Sequence, residues 1–359
     1  MILVLSLAAA LWGIGVVMKA PVRLRLGMIL ALWLGVVGLH LALPDGHPLR
    51  LATGGEARVW LAFGVVAGLV AGYRALVGRL RARAAPKVAE TPSGAFRTAE
   101  LDRYARHIIL REIGGPGQRK LKDSKVLVIG AGGLGSPALM YLAGAGVGTL
   151  GFVDDDAVDG SNLQRQIIHA DERIGMPKVF SAEMALRAIN PFIGLRPYKR
   201  RLDEGAARAL FAEYDLILDG TDNFDTRYMV NRVAVETGKP LISAAITQWE
   251  GQVSLFHPGS GAPCYECVFP VRPAPGMVPT CAEAGVAAPL PGVIGSIMAM
   301  EAVKHITGAG ETLKGRLMIH DALFAETRVI GVKRRADCPV CGAQDRDGVI
   351  GPAWGARGA

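Results

Sequence analysis

Cysteine is scarce in this 359-residue chain: five in all, too few for a disulfide scaffold at this length. Acidic side chains are almost missing from its first part. Residues 1–97 contain 3 Asp/Glu against 11 Lys/Arg, so the whole net charge of +8 arises there, and residues 98–359 balance at 29 of each sign. A basic surplus confined to one end, between apolar runs, is not the basic face of a nucleic-acid binder. Charge of either sign is absent from residues 1–18, and residues 26–43 carry only His40 among apolar side chains. Such runs exclude a disordered chain and a uniformly soluble one.

Each of those two runs spans about 27 Å as a helix, enough to cross a bilayer. A third, from Val59 to Tyr73, extends to Gly78 if Arg74 snorkels toward headgroups. The spacing predicts transmembrane helices at about 1–18, 26–43 and 59–78. Lys19, Arg23 and Arg25 follow the first run, and Arg79, Arg81, Arg83 and Lys87 follow the third. The positive-inside rule puts both clusters in the cytoplasm and the N-terminus outside. Their attraction to anionic lipid accounts for the basic surplus. A cleaved signal peptide would carry positive charge before its apolar stretch, and Met1 to Ser6 has none. The expected organisation is a membrane segment at 1–83, a linker at 84–97 and a cytoplasmic domain at 98–359. The expected location is a bacterial-type inner membrane, crossed several times.

From residue 98 strands alternate with amphipathic helices. Lys125–Ile129 leads into Gly130-Ala131-Gly132-Gly133-Leu134-Gly135, a helix to Ala145, and a second strand from Thr149 to Val153 ending at Asp154. In such a unit glycines let phosphates approach backbone N–H groups at a helix N-terminus. Further strands are expected at Gly194–Tyr198, Leu216–Asp219, Leu241–Ala245, Gln252–Phe256 and Arg316–Ile319, with helices near 178–189, 204–213 and 224–237. The fold class is α/β: a Rossmann-like, mainly parallel sheet with an antiparallel C-terminal extension. Asp154, placed 24 residues after Gly130, suits an NAD enzyme, an FAD enzyme or a nucleotide-activating enzyme, and a tight structural turn is the plainer alternative.

Four of the cysteines form two C-x-x-C pairs, Cys264 with Cys267 and Cys338 with Cys341. Four thiolates are what a closed tetrahedral Zn²⁺ site takes, and the long separation favours a structural site over redox dithiols. Cys281 is left over, in a Pro-, Gly- and Ala-rich stretch from Pro270 to Pro291 that reads as a mobile loop. Asp155 and Asp156 read as a solvated strand end and Arg103 as a surface salt-bridge partner. His107, His169, His257, His305 and His320 show no ligand spacing and read as packing or surface residues.

Several motifs occur in fixed order: Arg103-Tyr104-Ala105-Arg106, Asp154-Asp155-Asp156, Ser161-Asn162-Leu163-Gln164-Arg165-Gln166, Gly175-Met176-Pro177-Lys178, Asp219-Gly220-Thr221-Asp222-Asn223, and Thr280-Cys281-Ala282-Glu283-Ala284-Gly285. Together they resemble the MoeB/ThiF/HesA family, bacterial relatives of ubiquitin-activating enzymes, which adenylate the C-terminus of ubiquitin-like sulfur carriers. The resemblance runs from about Leu101 to Cys341, and the first 97 residues have no counterpart in ordinary soluble members.

The resemblance implies an ATP loop at Gly130, Gly132, Gly133 and Gly135, with Asp154 on the ribose hydroxyls. It places Asn162, Arg165 and Lys178 at the triphosphate and Asp222 on Mg²⁺. Arg106 would reach the phosphates of the other subunit in a homodimer. The nucleophile would be the terminal carboxylate of a Gly-Gly-ended carrier, with a pKa of about 3.5, already ionised at neutral pH. Acyl-adenylate and pyrophosphate would result. Cys281 matches a cysteine that joins covalent sulfur chemistry in thiamine-pathway members and is dispensable in molybdopterin-pathway ones. The chain ends 18 residues after Cys341, without room for a rhodanese-like domain, so sulfur is expected from a separate persulfide donor. An NAD(P)-dependent oxidoreductase and a non-catalytic membrane scaffold are the competing readings.

Overall fold

The computed structural model describes residues 2–18, 20–54, 56–84, 96–274, 277 and 281–342. Most of the expected linker, with Lys87, falls outside them, as do Lys19, Thr280 and the chain after Gly342. The chain divides into two compact units, Met1–Ala89 and Glu90–Ala359.

The first unit is helical: α1 (Ile2–Val17), α2 (Val22–Ala42), α3 (Pro48–Thr53) and α4 (Ala57–Ala84). Val4, Val36, Val37 and Trp60 make its small interior, while leucines and valines along α1, α2 and α4 face outward. The indole N–H of Trp33 donates to the Trp60 carbonyl (2.9 Å), and that of Trp60 to the Gly54 carbonyl (3.0 Å). Gly64 lets α4 meet the Trp33 ring, since a Cβ there would lie 2.2 Å from it. Val22–Ala42 and Ala57–Arg74 are long and apolar enough to cross a membrane. The first expected span, at about 1–18, falls short: α1 has 16 residues, about 24 Å of helix against a hydrocarbon core of about 30 Å.

The second unit is built on one eight-stranded sheet. In chain order its elements are α5 (Thr98–Ile108), α6 (Gly114–Asp123), β1 (Lys125–Ile129), α7 (Gly135–Ala145), β2 (Thr149–Val153), α8 (Lys178–Ile189), β3 (Gly194–Tyr198), α9 (Glu204–Glu213), β4 (Leu216–Asp219), α10 (Phe224–Glu236), β5 (Leu241–Ile246), β6 (Glu250–Phe256), α11 (Tyr265–Val268), α12 (Cys281–Ala284), α13 (Pro289–Thr307), β7 (Arg316–Asp321) and β8 (Glu326–Gly331).

Strand order is β3-β2-β1-β4-β5-β6-β7-β8. The first five are parallel and the last three antiparallel, as expected for a Rossmann-like sheet with a C-terminal extension. Parallel strands β1, β2, β4 and β5 read as apolar runs because helices cover both faces, whereas the edge strand β3 is partly exposed. One core includes Val126, Val128, Phe152, Leu142, Ile294 and Met298; the other includes Leu127, Ile129, Phe211, Tyr214 and Phe256. Strand order reverses between β1 and β4, so their C-terminal ends open a crevice where ligands of such sheets bind. Several elements went unforeseen, among them α5, α6, α11, β8 and α13. β8 is exposed along its whole length and so lacks alternation, and α13 begins at Pro289, inside the stretch expected to be a loop.

Candidate functional site

A cavity of about 910 Å³ opens at that crevice, lined among others by Gly130, Gly132, Gly133, Asp154, Arg165, Lys178 and Asp222. Its floor is the glycine turn. Gly130 has φ +92°, and a Cβ on Gly135 would sit 1.9 Å from the Gly130 carbonyl, so the turn closes only with glycine at both places. The N–H groups of Gly132, Gly133 and Leu134 find no acceptor among the described residues, leaving a cluster of donors at the start of α7. Such donors beside a helix N-terminus suit phosphate oxygens.

Asp154 ends β2 under this turn. Its Oδ2 accepts the Ala131 N–H (2.8 Å) and its Oδ1 the Asp156 N–H (2.9 Å). Burial raises the carboxyl above the ordinary carboxylate range, and nearby Lys178 opposes the shift. Each oxygen keeps a lone pair for a hydroxyl proton from a ligand.

Lys178, the first residue of α8, is 5% exposed, and its Nζ lies 2.7 Å from Asp156 Oδ2. Asp156 is therefore a partner for that lysine rather than simply a solvated strand end. Arg165 lines the cavity and donates to Asn162 Oδ1 (2.6 Å) and to the Ser161 carbonyl (3.3 Å). Asn162 is not among the lining residues, so here it orients Arg165.

Asp222 projects into the opposite wall from the loop after β4. That loop hangs on Asp219, which is fully buried. Asp219 Oδ1 accepts the Thr221 N–H (3.0 Å) and hydroxyl (2.6 Å), and Oδ2 accepts the Ser243 hydroxyl (3.0 Å). Arg227, 5% exposed, places Nε 3.8 Å from Asp219 Oδ2 and donates from Nη2 to the Thr221 carbonyl (2.6 Å). Asn223 caps α10 through the Thr226 N–H (2.8 Å).

One expected site residue lies apart from this cavity: Arg106 is exposed on α5, its side chain without a hydrogen bond or ion pair among the described residues. Cys281 opens α12, and its side chain lies outside the described ones. Arg103 donates to the Ile189 carbonyl (2.5 Å) and stacks over Phe192 rather than forming an ion pair.

Arg227 and His169 were not singled out by their sequence context. Arg227 could have been found, since it lies in the first turns of α10, five residues past Asp222. His169 carries no signal of period or spacing. It is buried, its Nε2 2.9 Å from the Ala131 carbonyl and its Nδ1 2.9 Å from the Ser181 hydroxyl.

The four C-x-x-C cysteines converge in a second, buried cluster. Their sulfurs stand 3.8 Å (Cys264–Cys267), 3.6 Å (Cys264–Cys338) and 3.3 Å (Cys267–Cys341) apart, and all four are free thiols. Four sulfurs at about 2.3 Å from a tetrahedral ion are about 3.8 Å apart, so the cluster fits a metal and not disulfides. The Arg335 N–H donates to Cys267 Sγ (3.4 Å). The thiols do not ionise alike: the hydrogen bond with Cys341 and burial push Cys264 up, burial pushes Cys267 to about 11, and the hydrogen bond with Cys264 pulls Cys341 down to about 5.

The ThiF family model matches residues 104–340. The chain belongs to the ThiF family. It is 49% identical over 247 residues to the sulfur carrier protein adenylyltransferase of Thermus thermophilus, covering 68% of this chain and 91% of that one. It is 46% identical over 250 residues to the SAMP-activating enzyme E1 of Haloferax volcanii, covering 70% and 92%. Against the probable adenylyltransferase/sulfurtransferase MoeZ of Mycobacterium tuberculosis it is 49% identical over 251 residues, 69% of this chain and 64% of that protein. Among solved structures, E. coli MccB with MccA-N7isoASN superposes with a TM-score of 0.61 at 22% identity, covering 70% of this chain and 76% of MccB. PaaA gives a TM-score of 0.59 at 23% identity, covering 83% and 90%. These two establish the shared ThiF fold. The family model begins at residue 104, after the apolar helices of the first unit.

Proposed function

We propose that the chain is an adenylyltransferase that uses ATP to activate the C-terminal glycine carboxylate of a ubiquitin-like sulfur carrier, releasing pyrophosphate. The observation that carries it is the junction of unpartnered glycine-turn N–H groups with Asp154, Arg165, Lys178 and Asp222 around one cavity. The similar Thermus thermophilus protein is named a sulfur carrier protein adenylyltransferase.

In this reading Gly130, Gly132, Gly133 and Gly135 shape the phosphate loop, and Asp154 receives the ribose hydroxyls. Arg165, held by Asn162, and Lys178 neutralise charge that grows on the β- and γ-oxygens. Asp222 would hold Mg²⁺, which offsets repulsion between the two anions when bound. The carrier carboxylate attacks the α-phosphorus, the new P–O bond forms as the α–β bridging bond breaks, and pyrophosphate leaves with that electron pair. No general base is needed, because the nucleophile is already ionised; the protein supplies alignment. The acyl-adenylate is then ready for sulfur from a persulfide donor, in a thiamine, molybdopterin or related route, with Cys281 a participant in the first. Exposed, unpaired Arg106 suits a homodimer in which it serves the neighbouring site.

The cysteine cluster is proposed as structural Zn²⁺, tying the start of α11, after β6, to the chain that follows β8. We further propose that residues 1–83 anchor the chain in the plasma membrane through as many as three spans, with the linker 84–97 leading to a cytoplasmic catalytic domain, 98–359. The outward apolar faces of α1, α2 and α4 support that reading.

Incubating the purified chain with Mg-ATP, labelled pyrophosphate and a Gly-Gly-ended carrier tests the activity: exchange is expected, and Asp222→Ala abolishes it. No exchange with tight NAD binding points to an oxidoreductase. An intact cellular function in the Asp222→Ala strain points to a scaffold.

A further inference from the structure

We infer that His169 is a positioning residue that locks the Ala131–Gly132 peptide and thereby aims the Gly132 N–H into the nucleotide cavity. The inference rests on the adenylation reading above and adds to it how the phosphate loop is held.

The argument starts from the planarity of the peptide bond. In a trans peptide the C=O of one residue and the N–H of the next point in opposite directions. The Ala131 carbonyl is bound by His169 Nε2 at 2.9 Å, on the buried side of the turn. The Gly132 N–H, in the same peptide plane, must therefore point the other way, and Gly132 lines the cavity. That N–H has no acceptor among the described residues.

Neighbouring peptides of the turn are held by other means. The Ala131 N–H is fixed by Asp154 Oδ2 (2.8 Å), and the Gly132 carbonyl by the Ser136 N–H of α7 (2.9 Å). The peptide between them is flanked by a glycine, which resists rotation least. Among the described residues, His169 supplies the one side-chain hydrogen bond to its carbonyl.

The tautomer follows from the partners. A carbonyl only accepts, so Nε2 carries the proton; Nδ1 is then an acceptor, and the Ser181 hydroxyl donates to it at 2.9 Å. Ser181 is fully buried in α8, the helix that begins with Lys178. His169 thus joins the phosphate loop to the helix that presents the lysine. Burial lowers its pKa to about 4, so the ring stays neutral and keeps this donor–acceptor order at working pH.

The test uses the full chain in detergent, with KM for ATP and kcat read separately from carrier-dependent pyrophosphate exchange. His169→Phe keeps a planar ring and removes both bonds; KM for ATP should rise roughly tenfold or more, the worth of an aimed donor to a charged acceptor, with a smaller change in kcat. His169→Gln can place an amide N–H near the Nε2 position and should recover most of the loss. An unchanged KM in His169→Phe, or Gln as impaired as Phe at equal thermal stability, would overturn the assignment. If His169→Phe does not fold, Ser181→Ala carries the test: freeing Nδ1 should raise KM for ATP about threefold, the low end of a net hydrogen bond, and an unaltered KM contradicts the lock. A wild-type chain that neither binds ATP nor exchanges pyrophosphate overturns the adenylation reading and this one together.

Discussion

Replacing Arg227 by Met strips the cation from beneath the Asp222 loop while keeping most of the side-chain volume. Asp219, fully buried, then keeps three hydrogen bonds, from the Thr221 N–H and hydroxyl and from Ser243, but loses its nearby positive charge. Breaking a buried ion pair by removing one partner costs about 3–5 kcal/mol. The Nε–Oδ2 separation of 3.8 Å and the three remaining donors put this pair at the low end. Loss of the 2.6 Å bond to the Thr221 carbonyl would by itself cost about 1.5–3 kcal/mol, and the two losses overlap. Urea unfolding of the full chain in detergent should therefore show Arg227→Met less stable by about 3–4 kcal/mol. Asp219→Asn should recover part of this in the double variant, with a coupling of about 1–2 kcal/mol, because no buried charge is then left unpaired. The exchange rate should fall with the first substitution, since Asp222 follows Thr221 directly. A loss below about 1 kcal/mol, or strict additivity of the two substitutions, would refute the claim that this pair organises the loop.

Other outcomes follow from the same geometry. Purified chain should contain one equivalent of zinc, and changing Cys338 and Cys341 to Ser should remove it and lower the unfolding temperature; metal-free wild type with reversible dithiol oxidation would contradict the site. His169 has a folded-state pKa of about 4 against an ordinary 6.5, so the unfolded chain takes up its proton first. Its contribution is complete above about pH 6.5 and is lost as pH falls toward 4, and His169→Gln should flatten that part of the stability–pH curve. A reporter fused after residue 90 should read as cytoplasmic, and an outward reading would sink both the orientation and access to ATP.

Strands β1, β2, β4 and β5 were legible in the sequence because they are buried on both faces and run as short apolar blocks between turn residues. Lys125–Ile129 and Thr149–Val153 fall at their expected residues. β8 was not legible: six exposed residues show neither a run nor alternation, and its existence depends on pairing with β7. Within the site, Gly130, Asp154, Arg165, Lys178 and Asp222 were readable because each falls in a motif at fixed spacing, and the fold brings all five to one cavity. Their supports were less readable. Asp156 turns toward Lys178, Arg227 toward Asp219 and His169 toward Ala131, pairings between elements that only the folded chain brings together, while Asn162 turns toward Arg165 within one local turn. α1 shows the opposite limit: an apolar run of the expected extent yields a 16-residue helix, too short by itself to settle a span.

The central claim is tested most directly by pyrophosphate exchange. Purified full-length chain, Mg-ATP, labelled pyrophosphate and a carrier ending in Gly-Gly should return labelled ATP. The signal should vanish when the carrier lacks its terminal glycine or when Asp222 is changed to Ala. Absence of exchange by the wild-type chain with a panel of such carriers, while NAD binds tightly in the same cavity, would contradict it.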